Sequence, residues 1–242
     1  PVEVIACLAG EFGLTKSDVV ADVGSGTGIS AELFLRNGNT VHAIEPNDDM
    51  RAAAERLLAK YPRFISHRGT AEKTPLNDAS VDWIIAAQAF HWFDVAGACR
   101  EFARILKPGG RIALLWNERR YDTPFLAAYE ALIREFATDY AQVKHDNVHT
   151  EGRIEQFFGG PAAEREFANE QRFDFDGLAG RLMSSSYVPN REHPRHAAML
   201  AALRRLYDQF ASGDRVIVLY RTRLFVGNYL SLTASPPESA AR

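Results

Sequence analysis

Cysteine is scarce: the 242 residues hold only Cys7 and Cys99, far apart and in no metal-ligand spacing. That usage excludes a disulfide scaffold and fits two buried thiols in a reducing compartment. An excess of basic charge is also missing. Lysine and arginine total 28 against 31 acids, a formal net charge of −3, so no global field attracts nucleic acid or an anionic membrane. No apolar run reaches the roughly 18 residues of a membrane helix, no signal peptide is expected at the start, and no internal repeat recurs. His42, His67, His145, His149, His193 and His196 have no metal-ligand spacing, so they are expected at the surface or in loops, and no metal site is expected. With 46% hydrophobic and 24% charged residues, the expectation is a soluble, cytoplasmic globular protein. Pro1 stands directly before an amphipathic stretch, as in a chain trimmed at its N-terminus.

What is present is an alternation of short apolar runs with helical periods. Val2 to Phe12 carries Val4, Ile5, Leu8 and Phe12 at helical spacing. Strands are expected over 18–23, 40–45, 64–68, 81–87 and 111–116. Helices are expected over 29–36, closed by Asn37-Gly38, then from Pro46-Asn47-Asp48 to about Lys60, and over 96–106. Strands apolar on both faces and separated by helices imply a parallel sheet covered on both sides. The rhythm changes after Glu118. A helix is expected over 125–136, a loop with short helical pieces over 138–160, and an edge strand over 167–175. Helices over 178–186 and 194–210 and a long strand over 215–226 follow. The small, polar stretch 231–242, with Pro236-Pro237, reads as a disordered tail.

The sharpest local signal is Asp22-Val23-Gly24-Ser25-Gly26-Thr27-Gly28, between an apolar strand and a helix. Glycines there let backbone pass against a ligand with no side chain between, at the carboxyl end of the first strand, where open α/β sheets bind ligands. A dinucleotide fingerprint wants a small residue where Ile29 stands, and a P-loop wants Gly-Lys-Ser/Thr, which is absent. Glu45 closes the second strand about 20 residues after the loop, where a carboxylate can accept both hydroxyls of a ribose. Asp22 reads either as a helix-capping acid or as an anchor for the loop and a ligand ammonium. Met50 reads as adenine packing or plain core.

The order Asp22 to Gly28, Glu45, Val81-Asp82-Trp83 and Glu101 to Gly110 resembles the motifs of class I S-adenosylmethionine (SAM)-dependent methyltransferases, over Val19 to Trp116. Gln88-Ala89-Phe90-His91-Trp92-Phe93, and more weakly Ser184 to Pro189, resemble the small-molecule branch that includes trans-aconitate methyltransferase. The resemblance implies a doubly wound, seven-stranded, mostly parallel sheet with the last strand antiparallel. Helices would cover both faces, and a helical lid would follow strand 5. It implies a SAM-binding core over 1–118, a lid over 119–212 with an edge strand, a final core strand over 213–230 and a tail over 231–242. Gly24, Ser25, Gly26, Thr27 and Gly28 would lie under the methionine part of SAM, with Asp22 behind them. Glu45 and Pro46 would meet the ribose, and Met50, Thr70, Ala71 and Glu72 the adenine. Gln88 and Ala89 would face the sulfonium and its methyl group. Relatives commonly carry an acid where Thr70 stands, so backbone or Glu72 would serve the adenine amino group. They also often fold a segment preceding Pro1 over the active site.

Methyl transfer is an in-line displacement in which the cofactor carries the reactive group, so alignment and exclusion of water are the chief demands. A carboxylate acceptor needs no base, whereas a phenol would use one, for which His91 is the candidate. Alternatively, His91 and Trp92 form a shelf under SAM. Trp116, Arg119 and Tyr187, with Arg181, are candidates to line the acceptor pocket, where a guanidinium would favour an acidic acceptor. The expected partner is a small-molecule methyl acceptor, with neither nucleic acid nor membrane, and the chain is expected as a monomer or homodimer. O-methylation leads. Carbon or nitrogen methylation, a non-catalytic SAM-binding module and an NAD-dependent oxidoreductase are the rivals.

Overall fold

The computed structural model describes residues 1–137, 150–185 and 187–228. The expected tail at 231–242, most of the expected loop after Phe136, and His145 and His149 lie outside them. Helix α1 spans Glu3–Phe12, β1 Val19–Val23, α2 Ile29–Asn37, β2 Thr40–Ile44, α3 Asp48–Leu58, β3 Phe64–His67, β4 Val81–Ala87 and α4 Val95–Ile105. Then follow β5 Leu106–Arg119, α5 Pro124–Phe136, α6 Thr150–Phe158, β6 Ala163–Phe173, α7 Phe175–Met183, α8 His196–Phe210 and β7 Val216–Asn228. The seven strands form one sheet in the order β3-β2-β1-β4-β5-β7-β6. Strands β1 to β5 pair in parallel. Strand β7 is antiparallel to β5: Asn117 meets Thr222, Glu118 meets Arg221, and the Arg120 amide donates to the Leu219 carbonyl. The expected doubly wound sheet is therefore the observed one, and β6 stands at its edge as expected.

The described residues form two compact units. The first comprises 1–116, 150–167 and 223–228; the second comprises 117–137, 168–185 and 187–222. The division falls inside β5 and inside β7, and α6 belongs to the first unit although it follows α5 in sequence.

In the first unit the central strands alternate strictly between two apolar layers. Ala21, Val23, Ile84, Ala86, Ile112 and Leu114 face one layer, with Phe102 of α4 and Phe157 of α6. Val20, Trp83, Ile85, Ala113 and Leu115 face the other, with Leu8 of α1 and Phe34 of α2. Both faces are thus buried, which is why these strands read as continuous apolar runs. In the second unit Leu126, Ile133, Leu182, Leu203 and Val218 pack one cluster from α5, α7, α8 and β7.

Three local expectations are corrected. Strand β5 begins at Leu106, five residues before Arg111, because Leu106 pairs with Val81 across an irregular register step. His42 and His67 are half-buried on neighbouring strands rather than in loops. Their Nδ1 and Nε2 atoms lie 2.8 Å apart, and burial lowers both pKa values. Cys99 is only partly buried, while Cys7 is buried, and both are free thiols. Among the described residues no helix is long and apolar enough to cross a membrane, and no group of three or more His, Cys, Asp or Glu side chains is placed to hold a metal ion.

Candidate functional site

Strand order reverses between β1 and β4, the two neighbours at the centre of the sheet, and open α/β sheets bind ligands outside the strand ends at such a switch point. The glycine loop turns there. The Gly24 and Ser25 amides both donate to the Ile44 carbonyl, at 2.9 and 3.2 Å, which ties the end of β1 to the end of β2. Gly24 has φ +70°, and a Cβ on it would lie 2.5 Å from the Ala89 Cβ, so no larger residue fits. Gly26 has φ +55°, and a Cβ on it would meet nothing within 4 Å; its face is an open backbone surface. Gly28 caps α2.

Two acids frame this loop. Glu45 is almost fully buried, and its Oε2 accepts from the Gly26 amide at 2.8 Å while its Oε1 accepts from the Asn47 amide at 2.9 Å. Each carboxylate oxygen has a second lone pair, so two hydroxyls can still be accepted. Asp22 is 0% exposed. Its Oδ2 accepts from the Ser30 hydroxyl at 2.6 Å, while its Oδ1 has no hydrogen-bond partner. Burial pushes the Asp22 carboxyl up to about 7, with the Ser30 hydrogen bond working against the shift and the Glu45 charge adding to it. The buried Ser25 hydroxyl likewise has no partner.

Beyond β4, Gln88 is a non-glycine residue with φ +57°, held by the hydrogen bond its backbone amide donates to the Leu115 carbonyl at 2.9 Å. Such backbone costs of order 1 kcal/mol and persists where surrounding structure imposes it. The next residues form a 3₁₀ turn, Phe90–Trp92. Phe90 anchors it in the core, edge-on to Phe93, Trp116 and Phe157. His91 stands against Trp92, ring centroids 4.8 Å apart, and Trp92 is 80% exposed. Ile29, Met50 and Trp92, exposed apolar residues, thus follow the ends of β1, β2 and β4 respectively.

The remaining expected residues fall as follows. Pro46 and Thr70 are exposed, and Thr27 and Glu72 are partly buried. Ala71 is core. Thr70 and Lys73 exchange backbone hydrogen bonds, and the Glu72 Oε1 accepts from the Asp94 amide at 2.9 Å. That oxygen is therefore engaged at the start of α4. Trp116 is buried against Phe90 and Phe225. Within the second unit, Arg119 pairs with Glu130 at 2.6 Å and Tyr187 is partly buried. Glu101 opens one of the motifs quoted for the resemblance, but the sequence reading gave it no role of its own. Its buried carboxylate accepts from the Thr74 amide at 2.7 Å and hydroxyl at 2.6 Å, and from Arg104 Nη2 at 2.6 Å. It fixes the segment that leaves Thr70 to Glu72. Its place three residues before Arg104, on one helix face, was the available signal.

Residues 21–114 match the family described as methyltransferase domain. The chain is 44% identical over 100 residues to an uncharacterised methyltransferase of Mycobacterium tuberculosis, covering 41% of this chain and 40% of that protein. It is 32% identical over 121 residues to a demethylmenaquinone methyltransferase of Tropheryma whipplei, covering 49% and 50%. The match thus spans half or less of these relatives' length. A solved structure of a candidate type II methyltransferase from Anaeromyxobacter dehalogenans is 25% identical, with TM-score 0.64, over 95% of this chain and 96% of that one. One of a candidate SAM-dependent methyltransferase from Methanococcus maripaludis has TM-score 0.53 at 22% identity, over 69% and 78%. The glycine-loop segment of this chain is accordingly similar to a methyltransferase domain, and the group to test against it is S-adenosylmethionine. The residues fit that group. An unpartnered buried carboxylate oxygen suits its cationic end, Glu45 suits the ribose hydroxyls, and the Gly26 face leaves room for it.

Proposed function

We propose that the chain is a SAM-dependent methyltransferase that methylates an oxygen of a small-molecule acceptor. The observation that carries the reading is the joint placement of three elements at the switch point: the Gly24–Gly28 loop, the clamped Glu45 carboxylate, and the strained Gln88 backbone. Bound SAM would supply the electrophilic methyl group on its sulfonium. Glu45 would hold the ribose hydroxyls, and Asp22 would oppose the positive charge of the methionine end. The Gln88-Ala89 backbone would border the methyl group, and Trp92 would shield that side from water. Alignment is then the protein's main contribution.

The similarity to a demethylmenaquinone methyltransferase supports an acceptor of small-molecule size. For a carboxylic acid, His91 has no proton to remove; for a phenol, its imidazole is a general base.

The test is transfer of labelled methyl from SAM to panels of carboxylic acids and phenols, with wild type and His91→Gln. Saturable labelling of an acid or phenol oxygen by wild type is expected. His91→Gln is expected to leave carboxylate methylation within about threefold and to slow phenol methylation about a hundredfold. Labelling confined to carbon or nitrogen would overturn the O-methylation reading. SAM binding without transfer to any acceptor would favour a non-catalytic module.

A further inference from the structure

The 3₁₀ turn after β4, Phe90–Trp92, is short and follows directly on the strained Gln88. It closes with backbone hydrogen bonds from Trp92 to the Ala89 carbonyl at 3.0 Å and from Phe93 to the Phe90 carbonyl at 3.1 Å, in the poorer geometry of that helix type. No side chain caps its start. Yet its place matters closely, since Ala89 and Phe93 are the residues that crowd the Gly24 position.

The peptide group between Phe93 and Asp94 is gripped at both ends. On one side Arg153 of α6 donates from Nη2 to the Phe93 carbonyl at 3.2 Å. On the other the Glu72 Oε1 accepts from the Asp94 amide at 2.9 Å. The carbonyl and N–H of one trans peptide point in opposite directions, so a cation and an anion lie along its dipole, each in a charge-assisted hydrogen bond. Arg153 also stands over the Phe90 ring at 5.6 Å. Phe157, four residues further on the same face of α6, meets that ring edge-on at 5.0 Å. Among the described residues no carboxylate lies in ion-pair reach of Arg153, so the turn engages its charge. Room for Glu72 comes from α4: a Cβ on Gly97 would lie 2.8 Å from the Glu72 Cγ. All of these residues belong to the first unit.

We infer that Arg153 and Glu72 are positioning residues for the cofactor: by clamping the Phe93–Asp94 peptide from its two ends, they fix the turn that sets Ala89 against Gly24 and carries Trp92. What the turn meets rests on the transferase reading; what holds the turn rests on the hydrogen bonds alone. Helix α6, far along the chain, is thereby coupled to the loop after β1.

The test is amide hydrogen exchange of the full chain without ligand, followed by calorimetric titration with S-adenosylhomocysteine. Arg153→Met keeps an apolar stem over Phe90 and removes the charge and the donor. It is expected to speed exchange of the Trp92 and Phe93 amides about tenfold or more while β1 and β4 keep wild-type rates, and to weaken S-adenosylhomocysteine about tenfold. Arg153→Lys retains a charged donor and should recover part of both effects. Glu72→Gln should speed the same two amides, and its effect should combine with that of Arg153→Met to less than their product, because both act on one peptide. Wild-type exchange in Arg153→Met, or a rise shared equally by β1 and β4, would overturn the clamp. A loosened turn with unchanged S-adenosylhomocysteine affinity would overturn the positioning role. Wild type that binds no S-adenosylhomocysteine would count against the transferase reading, with exchange still deciding the clamp.

Discussion

The Oε2 of Glu45 accepts a 2.8 Å hydrogen bond from the amide of Gly26, so the residue proposed to hold the ribose also holds the loop proposed to lie beneath the cofactor. Glu45→Ala removes both functions. Each hydrogen bond to a charged group is worth about 1.5–3 kcal/mol, and S-adenosylhomocysteine affinity should fall about a hundredfold or more in calorimetry. Glu45→Gln keeps one acceptor oxygen and should fall in between. Unchanged affinity in both variants would remove Glu45 from the site.

Gly24 and Ala89 are in direct apposition, and this makes the loop sensitive to a single methyl group. Gly24→Ala combines a disfavoured positive φ with a 2.5 Å Cβ contact and should cost about 2 kcal/mol or more, visible as a lower melting midpoint. Adding Ala89→Gly should recover the steric part and leave the backbone part. A double variant no more stable than the single one would show that the contact is not what limits the loop.

Asp22 gives the site a pH dependence. Its carboxyl ionises near 4 in the unfolded chain but only at about 7 in the fold, where burial opposes the charge. The unfolded chain releases its proton first as pH rises. The contribution to stability is therefore full below about pH 4 and is lost progressively up to about 7, a change of about 4 kcal/mol. A cationic ligand favours the ionised form. SAM affinity should thus rise from pH 6 to pH 8, with proton release near pH 6 detectable by calorimetry in buffers of different ionisation enthalpy. Asp22→Asn should abolish that proton release; its persistence would assign the proton elsewhere.

Glu101 carries a structural load that can be measured apart from function. Burial raises its pKa, but hydrogen bonds from Arg104 and Thr74 outweigh burial and hold it below the ordinary value. Its stabilisation is therefore present above the ordinary glutamate range and is lost on acidification. Glu101→Ala leaves the Arg104 charge and the Thr74 amide without their partner. It should cost about 3 kcal/mol, read as a lower denaturation midpoint at pH 7 and a smaller difference from wild type at pH 3.

Most of the first unit was legible because its information is local. Strands β1 and β4 and the centre of β5 are short apolar runs bounded by turn residues, and the glycine loop and Glu45 sit where strand ends must fall. What escaped is non-local. Nothing near Glu72 announces that it will accept from the Asp94 amide, and nothing near Leu106 shows that it will pair with Val81 and lengthen β5. His42 and His67 read as unrelated polar residues until β2 and β3 lie side by side. Helix α6 falls in a stretch that reads as loop with short helical pieces, but its place could not be read, since Phe157 and Phe158 are buried by packing on a sheet far away in sequence. The hydrogen bond from Arg181 to the Tyr220 hydroxyl is likewise set by how α7 meets β7.

The short turn after β4 also equips the protein with an optical reporter. Of the three tryptophans, Trp83 and Trp116 are buried, at 3% and 7% exposure, and Trp92 is 80% exposed. Iodide or acrylamide in solution will therefore quench Trp92 emission selectively, leaving a blue-shifted residue from the other two. Because Trp92 stands one turn beyond Gln88 and Ala89, the quenchable fraction of the protein's own fluorescence becomes a label-free measure of whether the space above the strand ends is filled, readable in real time during a ligand titration.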